Sequence, residues 1–163
     1  MSSGRVVLVD TNVIIHCHEI GCWKALAGQY HLETVDQCVI ETQTGRQRRR
    51  PELQINEAEL RAQFKAVHVV TQQHIAQVMA MNGGALDDGE RDLWAHALQR
   101  EDAWILCGPD RASMKFGYDA RLRERLVSLG ELVANFSPAP TMKQNYTKPW
   151  LDEALQKFAL GIL

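Results

Sequence analysis

Residues 6–15, Val6-Val7-Leu8-Val9-Asp10-Thr11-Asn12-Val13-Ile14-Ile15, run four aliphatic side chains straight into a carboxylate. A continuous apolar run of this length is the pattern of a strand buried on both faces, as in a parallel sheet. Such a strand delivers the next residue, Asp10, to the carboxyl edge where open α/β sheets bind their ligands. Thr11 and Asn12 favour helix starts, so the chain is expected to turn over Asp10 into a helix whose N-terminus faces the same spot. Asp10 then has two readings, a functional carboxylate or the cap of that helix. The decapeptide alone leaves both open.

Outward from this stretch, the chain of 163 residues fits one domain able to bury a sheet between two layers of helices. Hydrophobic residues make up 45% and charged residues 23%, ordinary for a globular protein. No run approaches the ~18 apolar residues of a membrane span. The opening Met-Ser-Ser-Gly-Arg lacks the apolar core of a secretory signal, so a cytoplasmic location is expected. Cys17, Cys22, Cys38 and Cys107 are too sparse for a disulfide scaffold and read as reduced core thiols. The His16-Cys17-His18 segment with Cys22 does not read as zinc, because adjacent side chains diverge and no paired Cys-x-x-Cys completes a ligand set. A net charge of −2 gives no global attraction for nucleic acid, so any such contact must come from a local basic patch.

A helix over 23–30 and a short strand over 31–35 are expected next, followed by a helix capped by Asp36 with Val39 and Ile40 facing inward and Glu41 one position on. Gly45 ends it, and Arg46-Gln47-Arg48-Arg49-Arg50-Pro51 forms a short basic connection. Asn56 and Glu59 resemble a capping box opening a helix through Ala66. The β-branched run 67–70 suggests a strand, Thr71 caps a helix to about Met81, and Gly83-Gly84 breaks the chain. A strand over 103–107, short helices over 111–116 and 121–126, a strand over 126–128 and a helix over 129–136 complete a domain of residues 1–136. Residues 137–163 are expected to form an extension, with a helix over 150–160 packing on the domain or on a partner. The alternation of strands and helices predicts a three-layer α/β/α sandwich around a mainly parallel sheet.

The segment Leu86-Asp87-Asp88-Gly89-Glu90-Arg91-Asp92-Leu93-Trp94-Ala95-His96-Ala97-Leu98 packs its acids at the start of an amphipathic helix. Helix capping and the helix dipole account for Asp87, Asp88 and in part Asp92. They account poorly for Glu90, which at 100° per residue lies over Leu93, Trp94 and Ala97 on the stripe that faces the sheet. Gly108-Pro109-Asp110 then ends the next buried strand with another carboxylate, as Asp10 ends the first. Asp10, Glu41, Glu90 and Asp110 would meet at one edge of the sheet, where their mutual repulsion calls for divalent cations. Hard oxygen ligands in small number select Mg²⁺ or Mn²⁺, the ions that activate water and neutralise charge in phosphodiester hydrolysis.

These features resemble the PIN-domain family: Asp10-Thr11-Asn12 after an apolar strand, Glu41 on a following helix, the Asp-Gly-Glu segment opening another, and Asp110 ending the next strand. The likeness spans roughly residues 5–135 and includes Arg125-Leu126-Val127-Ser128-Leu129. It implies a metal-dependent nuclease, often the toxin of a VapC-type toxin–antitoxin pair, cutting RNA to leave a 5′-phosphate and a 3′-hydroxyl. Asp10, Glu41 and Asp110 match its metal-binding acids. Many members carry an aspartate followed closely by alanine and isoleucine where this chain has Asp88-Gly89-Glu90-Arg91-Asp92. The third acid is therefore Glu90 or Asp92; helix facing favours Glu90, with Asp92 as a secondary ligand or a supporting group, while distance to Asp110 along the chain favours Asp92. Asn12 matches a polar position that orients the first aspartate or a water held by the metal. Ser113 does similar work beside Asp110 or stabilises the helix start.

With a phosphodiester as substrate, Arg46, Arg48, Arg49 and Arg50, and Arg111 and Lys115 on the opposite rim, become candidate RNA phosphate contacts, against the plain alternative of a solvated loop. Trp94 and Trp104 read as core, while Trp23 and Trp150 are candidates for an interface with an antitoxin or in a homodimer. The rival function is a PIN-like module that binds RNA or protein without cutting. The number of metal ions, the RNA target and the existence of an antitoxin are not written in the sequence.

Overall fold

The computed structural model describes residues 4–44 and 50–162. Strand β1 (Val6–Val9) is buried along its whole length. It pairs in parallel with β2 (His31–Val35) on one side and β4 (Trp104–Cys107) on the other. β3 (Ala66–His68) lies outside β2, and β5 (Leu126–Val127) outside β4, again parallel. The sheet order is β3-β2-β1-β4-β5. Parallel neighbours require crossovers, which helices supply here. They are α1 (Thr11–Glu19) and α2 (Trp23–Gln29) after β1, and α3 (Asp36–Gln43) and α4 (Glu57–Gln63) after β2. α5 (Gln72–Ala80) and α6 (Asp88–Ala97) follow β3, α7 (Arg111–Asp119) follows β4, and α8 (Leu129–Leu132) and α9 (Lys148–Ala159) follow β5.

The two-residue period of the strands sorts the interior into two cores. Val7, Val9, Leu32, Ile105 and Cys107 meet Val13, Ile14 and Cys17 of α1, Leu26 of α2, Leu60 of α4 and Leu129 of α8. Val6, Leu8, Val35, Trp104 and Leu106 meet Val78 of α5, Leu93 and Trp94 of α6, Met114 of α7 and Leu155 of α9. This is a three-layer α/β/α sandwich on an all-parallel sheet, the architecture that an apolar strand without alternation requires. Residues 137–162 feed both cores: Tyr146 packs into the first, and α9 lays Leu151, Ala154, Leu155 and Phe158 into the second against α7.

Several local expectations shift. α4 ends at Gln63, and the strand expected over 67–70 is Ala66–His68, because the chain leaves the sheet after three residues and Val69 stands 83% exposed in the turn to α5. A single 3-10 turn, Arg123–Arg125, replaces the helix expected over 121–126, and α8 is one turn long. α3 buries Cys38, Val39 and Thr42, so Ile40 points outward instead of inward. Trp23 is core, with its indole N–H donating to Gln63 Oε1 at 2.7 Å, and offers no interface. All four cysteines are free and buried. Among the described residues no helix is long and apolar enough to cross a membrane.

Candidate functional site

The sheet order creates the site. From β1 the chain builds outward through β2 and β3, then returns to add β4 on the other side of β1. That reversal opens a crevice at the carboxyl ends of β1 and β4, the place where open α/β sheets bind ligands. Val9 of β1 is level with Cys107 of β4, so the next residues, Asp10 and Gly108, lie side by side. A Cβ on Gly108 would come within 3.1 Å of Asp10 Oδ2. On the other flank Thr34 donates to the Val9 carbonyl at 2.7 Å and fixes the strand end just before Asp10.

Asp10 caps α1, its Oδ1 accepting the Val13 N–H at 2.9 Å. Its Oδ2 is buried without a partner. Burial pushes the carboxyl up to about 7; the Val13 N–H opposes this, and the charges of Asp87, Asp110 and Glu41 add to it. Glu90 is buried on α6 beside Leu93, Trp94 and Ala97. Its Oε2 accepts the Asp87 N–H at 3.2 Å in a reciprocal capping box, while Oε1 is buried and unpartnered. Burial raises its pKa to about 8, with the charges of Asp110, Asp87 and Asp10 adding and the Asp87 N–H opposing. Asp110 caps α7 through the Ser113 N–H at 3.1 Å. Glu41 reaches in from α3, where Oε1 accepts from Thr11 Oγ1 at 3.0 Å and Oε2 from Gln37 Nε2 at 3.3 Å.

The neighbouring backbone is shaped for that last carboxylate. A Cβ on Gly89 would overlap Glu41 Oε1, so only glycine lets Glu41 lie over the first turn of α6. Cys38 Sγ donates to the Gly89 carbonyl at 3.4 Å and holds α3 against that turn. Five carboxylates, from Asp10, Glu41, Asp87, Glu90 and Asp110, thus gather at this edge of the sheet near the N-termini of α1, α6 and α7, their charges acting on Asp10 or Glu90. No family model, curated protein or solved structure matches this chain.

Two buried carboxylate oxygens without hydrogen-bond partners, each on an acid that resists ionisation, could serve as ligands of a hard divalent cation. The acids do not converge as a closed cage, and the tightest trio of ligand atoms among the described residues lies elsewhere. Mg²⁺ suits an open arrangement, because it is held by one or two carboxylates and completes its shell with waters and phosphate oxygens.

The other sequence-derived candidates make different contacts. Asp92 pairs with its neighbour Arg91 at 3.0 Å; burial raises its pKa, Arg91 opposes, and only Asp88 adds charge. Of the two acids considered for the third position, Glu90 is the one whose carboxyl is set by Asp10 and Asp110. Asn12 is exposed in the first turn of α1, and its carbonyl accepts from Tyr146 Oη at 3.2 Å. The Ser113 hydroxyl is buried and accepts from Trp94 Nε1 at 2.8 Å, so its side chain ties α7 to α6 while its backbone N–H holds Asp110. The Arg111 guanidinium lies 5.4 Å from the Phe158 ring and leaves Nη2 buried without an acceptor. Lys115 pairs with Asp119 at 2.9 Å. Arg50 is exposed before the Pro51–Leu53 turn; Arg46, Arg48 and Arg49 lie outside the described residues.

Sequence reasoning missed three contributors. Asp87 reads as a cap and is one, yet it also charges the crevice. Thr11 tethers Glu41, which no local pattern announces across 30 positions. A second polar group was missed entirely: buried Glu33 on β2 accepts from His31, His68 and Arg100. Its signal was present, a carboxylate on the inner face of a strand that a parallel sheet must bury. His96, stacked on His68 at 3.8 Å, has its pKa pushed down to about 4 by burial, with His68 and Arg100 adding.

Proposed function

We propose that the chain is a Mg²⁺- or Mn²⁺-dependent endoribonuclease of the PIN-domain type, acting as the toxin of a toxin–antitoxin pair. The observation that carries this reading is the pair of buried, unpartnered oxygens, Asp10 Oδ2 and Glu90 Oε1, at the switch point between β1 and β4. The residues present fit such an ion. Asp10, Glu90 and Asp110 would hold it, with Glu41 and Asp87 completing the negative wall. When bound, it supplies neutralising charge to a phosphodiester and activates water for attack on phosphorus, leaving a 5′-phosphate.

The chain's own groups divide the remaining work. Val13 N–H and Ser113 N–H each occupy one oxygen of their aspartate and so orient the other. Thr11 and Gln37 hold the Glu41 carboxylate against α6. Glu90, its pKa pushed up to about 8 mainly by burial, keeps a proton near neutral pH, and a bound cation would favour its ionised form. The N-termini of α1, α6 and α7 bring partial positive charge that favours a phosphate over the free crevice. Arg111 follows Asp110 directly and retains a buried donor without an acceptor, which a backbone phosphate can supply; Lys115 is already engaged by Asp119. The basic connection from Arg46 to Arg50 stands as the second phosphate contact, and an antitoxin or a second copy of the chain as protein partner.

The test is cleavage of an end-labelled single-stranded RNA panel with Mg²⁺ or Mn²⁺. Cutting is expected from the wild type, with 5′-phosphate products, and none from Asp10→Asn or in EDTA. RNA that is bound and never cut would replace this reading with the binding module.

A further inference from the structure

His96, on α6 about 9 Å beyond Glu90 at 1.5 Å per residue, belongs to a group of side chains that the acidic site does not use. Glu33 of β2, His68 of β3 and His96 of α6 each offer one ligand atom, and the three atoms lie within 4.8 Å of one another. Glu33 Oε1 accepts from His68 Nε2 at 2.6 Å and from Arg100 Nη1 at 2.8 Å. Arg100 Nη1 also lies 3.0 Å from His96 Nε2. A guanidinium can only donate, so His96 is a neutral imidazole with a lone pair on Nε2, aimed at the same point as the Glu33 carboxylate.

We propose that Glu33, His68 and His96 form a binding site for a borderline divalent transition-metal ion, with Zn²⁺ as its simplest occupant. Two imidazoles and one carboxylate are a zinc ligand set, and imidazole nitrogen discriminates against Mg²⁺. With bonds of about 2.0–2.1 Å, tetrahedral ligands stand about 3.4 Å apart, so the trio closes on an ion by moving about an ångström. The two rings are stacked with centroids 3.8 Å apart, so closing on an ion tilts their nitrogens toward each other. Arg100 Nη1 occupies the cation's place in the metal-free protein, touching both Glu33 and His96. It can withdraw without being stranded, because its other nitrogens hold Asp102 at 2.9 and 2.6 Å. His68 exchanges the proton on Nε2 for the ion; that proton goes to the buffer, or the ring keeps its single proton on Nδ1. His31 donates to Glu33 Oε2 at 2.7 Å and fixes the carboxylate from outside, the usual role of a partner beyond the ligand set. The His68 side chain is 31% exposed, which gives the ion a path in and leaves a fourth position for water. Bound there, the ion would clip the edge strand β3 and its neighbour β2 to the C-terminal end of α6.

This inference is independent of the nuclease reading. The test is calorimetric titration of Zn²⁺ into the full chain after chelator treatment, with millimolar Mg²⁺ present to occupy the acidic crevice, and Co²⁺ substitution to read the ligand field. One ion per chain is expected, with a four-coordinate Co²⁺ spectrum. Affinity should fall about a hundredfold or more in His68→Ala and His96→Ala, since even partners outside a ligand set are worth about 10–100-fold. Glu33→Gln, which keeps the side-chain shape, should weaken it similarly. Arg100→Met removes the competing cation and should tighten binding about tenfold or more, while Asp10→Asn should leave it unchanged. Circular dichroism checks that each variant is folded. Undiminished Zn²⁺ binding in a folded His68→Ala/His96→Ala protein would overturn the proposal, as would loss of the ion in Asp10→Asn or unaltered affinity in Arg100→Met.

Discussion

Asp10 divides one carboxylate between two tasks: Oδ1 caps α1 through the Val13 N–H, and Oδ2 is left buried and unpaired. Of the two readings that its decapeptide leaves open, the cap is thus shown, and the unpaired Oδ2 is the atom on which the functional reading rests. The division fixes how the metal-free protein responds to pH. The unfolded carboxyl loses its proton near 3.8 and the folded one near about 7. Between those values unfolding releases a proton, so raising the pH favours the unfolded chain. Stability from the protonated acid is full below the lower value and lost as the pH climbs through about 7, and Glu90 extends the loss to about 8. Unfolding free energies from urea titrations in EDTA should fall steadily across that window, by on the order of a few kcal/mol in all, and the midpoints with them. Saturating Mn²⁺ should restore them above neutrality, and Asp10→Asn should flatten the slope; a midpoint that climbs with pH would contradict buried, uncompensated acids. Glu90 was legible because a 100° step puts it on the apolar stripe. The partners of Glu33 were not legible, since two of them, His68 of β3 and Arg100 beyond α6, lie at separations only a fold can close.

Helix α6 carries the acidic crevice at its first turn and the histidine–glutamate group at its last, so its seating governs both. At its N-terminal end the contact with α3 has no spare room, because the Glu41 carboxylate lies where a side chain on Gly89 would begin. The colliding atom is the far end of a flexible side chain, and alanine is the better helix former by about 1 kcal/mol. Gly89→Ala should accordingly change stability by no more than about 1 kcal/mol while displacing Glu41, with Mn²⁺ affinity and RNA cleavage falling about tenfold or more. Thermal melts beside metal titration separate the two effects; a large loss of stability would mean that α3 and α6 part instead. Element types were readable from the sequence wherever an apolar period was long, as in β1, α6 and α9. Ends were less so. The run Val67–Val70 looked like a strand, yet pairing with β2 stops at His68, opposite Val35, and tertiary contact overrides the propensity of the valines beyond.

At the scale of the whole molecule, the parallel order β3-β2-β1-β4-β5 turns two strand ends that are remote in the chain into one crevice. Strand–helix alternation made the layers legible, but the sequence could not say which strand lies next to β1, and hence that Asp10 and Asp110 flank the switch point. Nor did it show that residues 137–162 serve both cores, with His16 stacked on Tyr146 at 4.0 Å on one side and α9 seated on α7 on the other. A chain cut after Phe136 should lose its cooperative melt, and Leu155→Ala alone should cost about 2–5 kcal/mol in urea. A truncated chain that melts as sharply as the full one would show the tail to be dispensable. During synthesis the same arrangement sets a timetable. Every strand and every carboxylate of the crevice has been made before Tyr146 and Phe158 emerge, yet neither layer is sealed until they do. The nascent protein therefore holds its full set of acids on an unfinished scaffold, and the crevice can take its final shape only as the last turn of α9 docks.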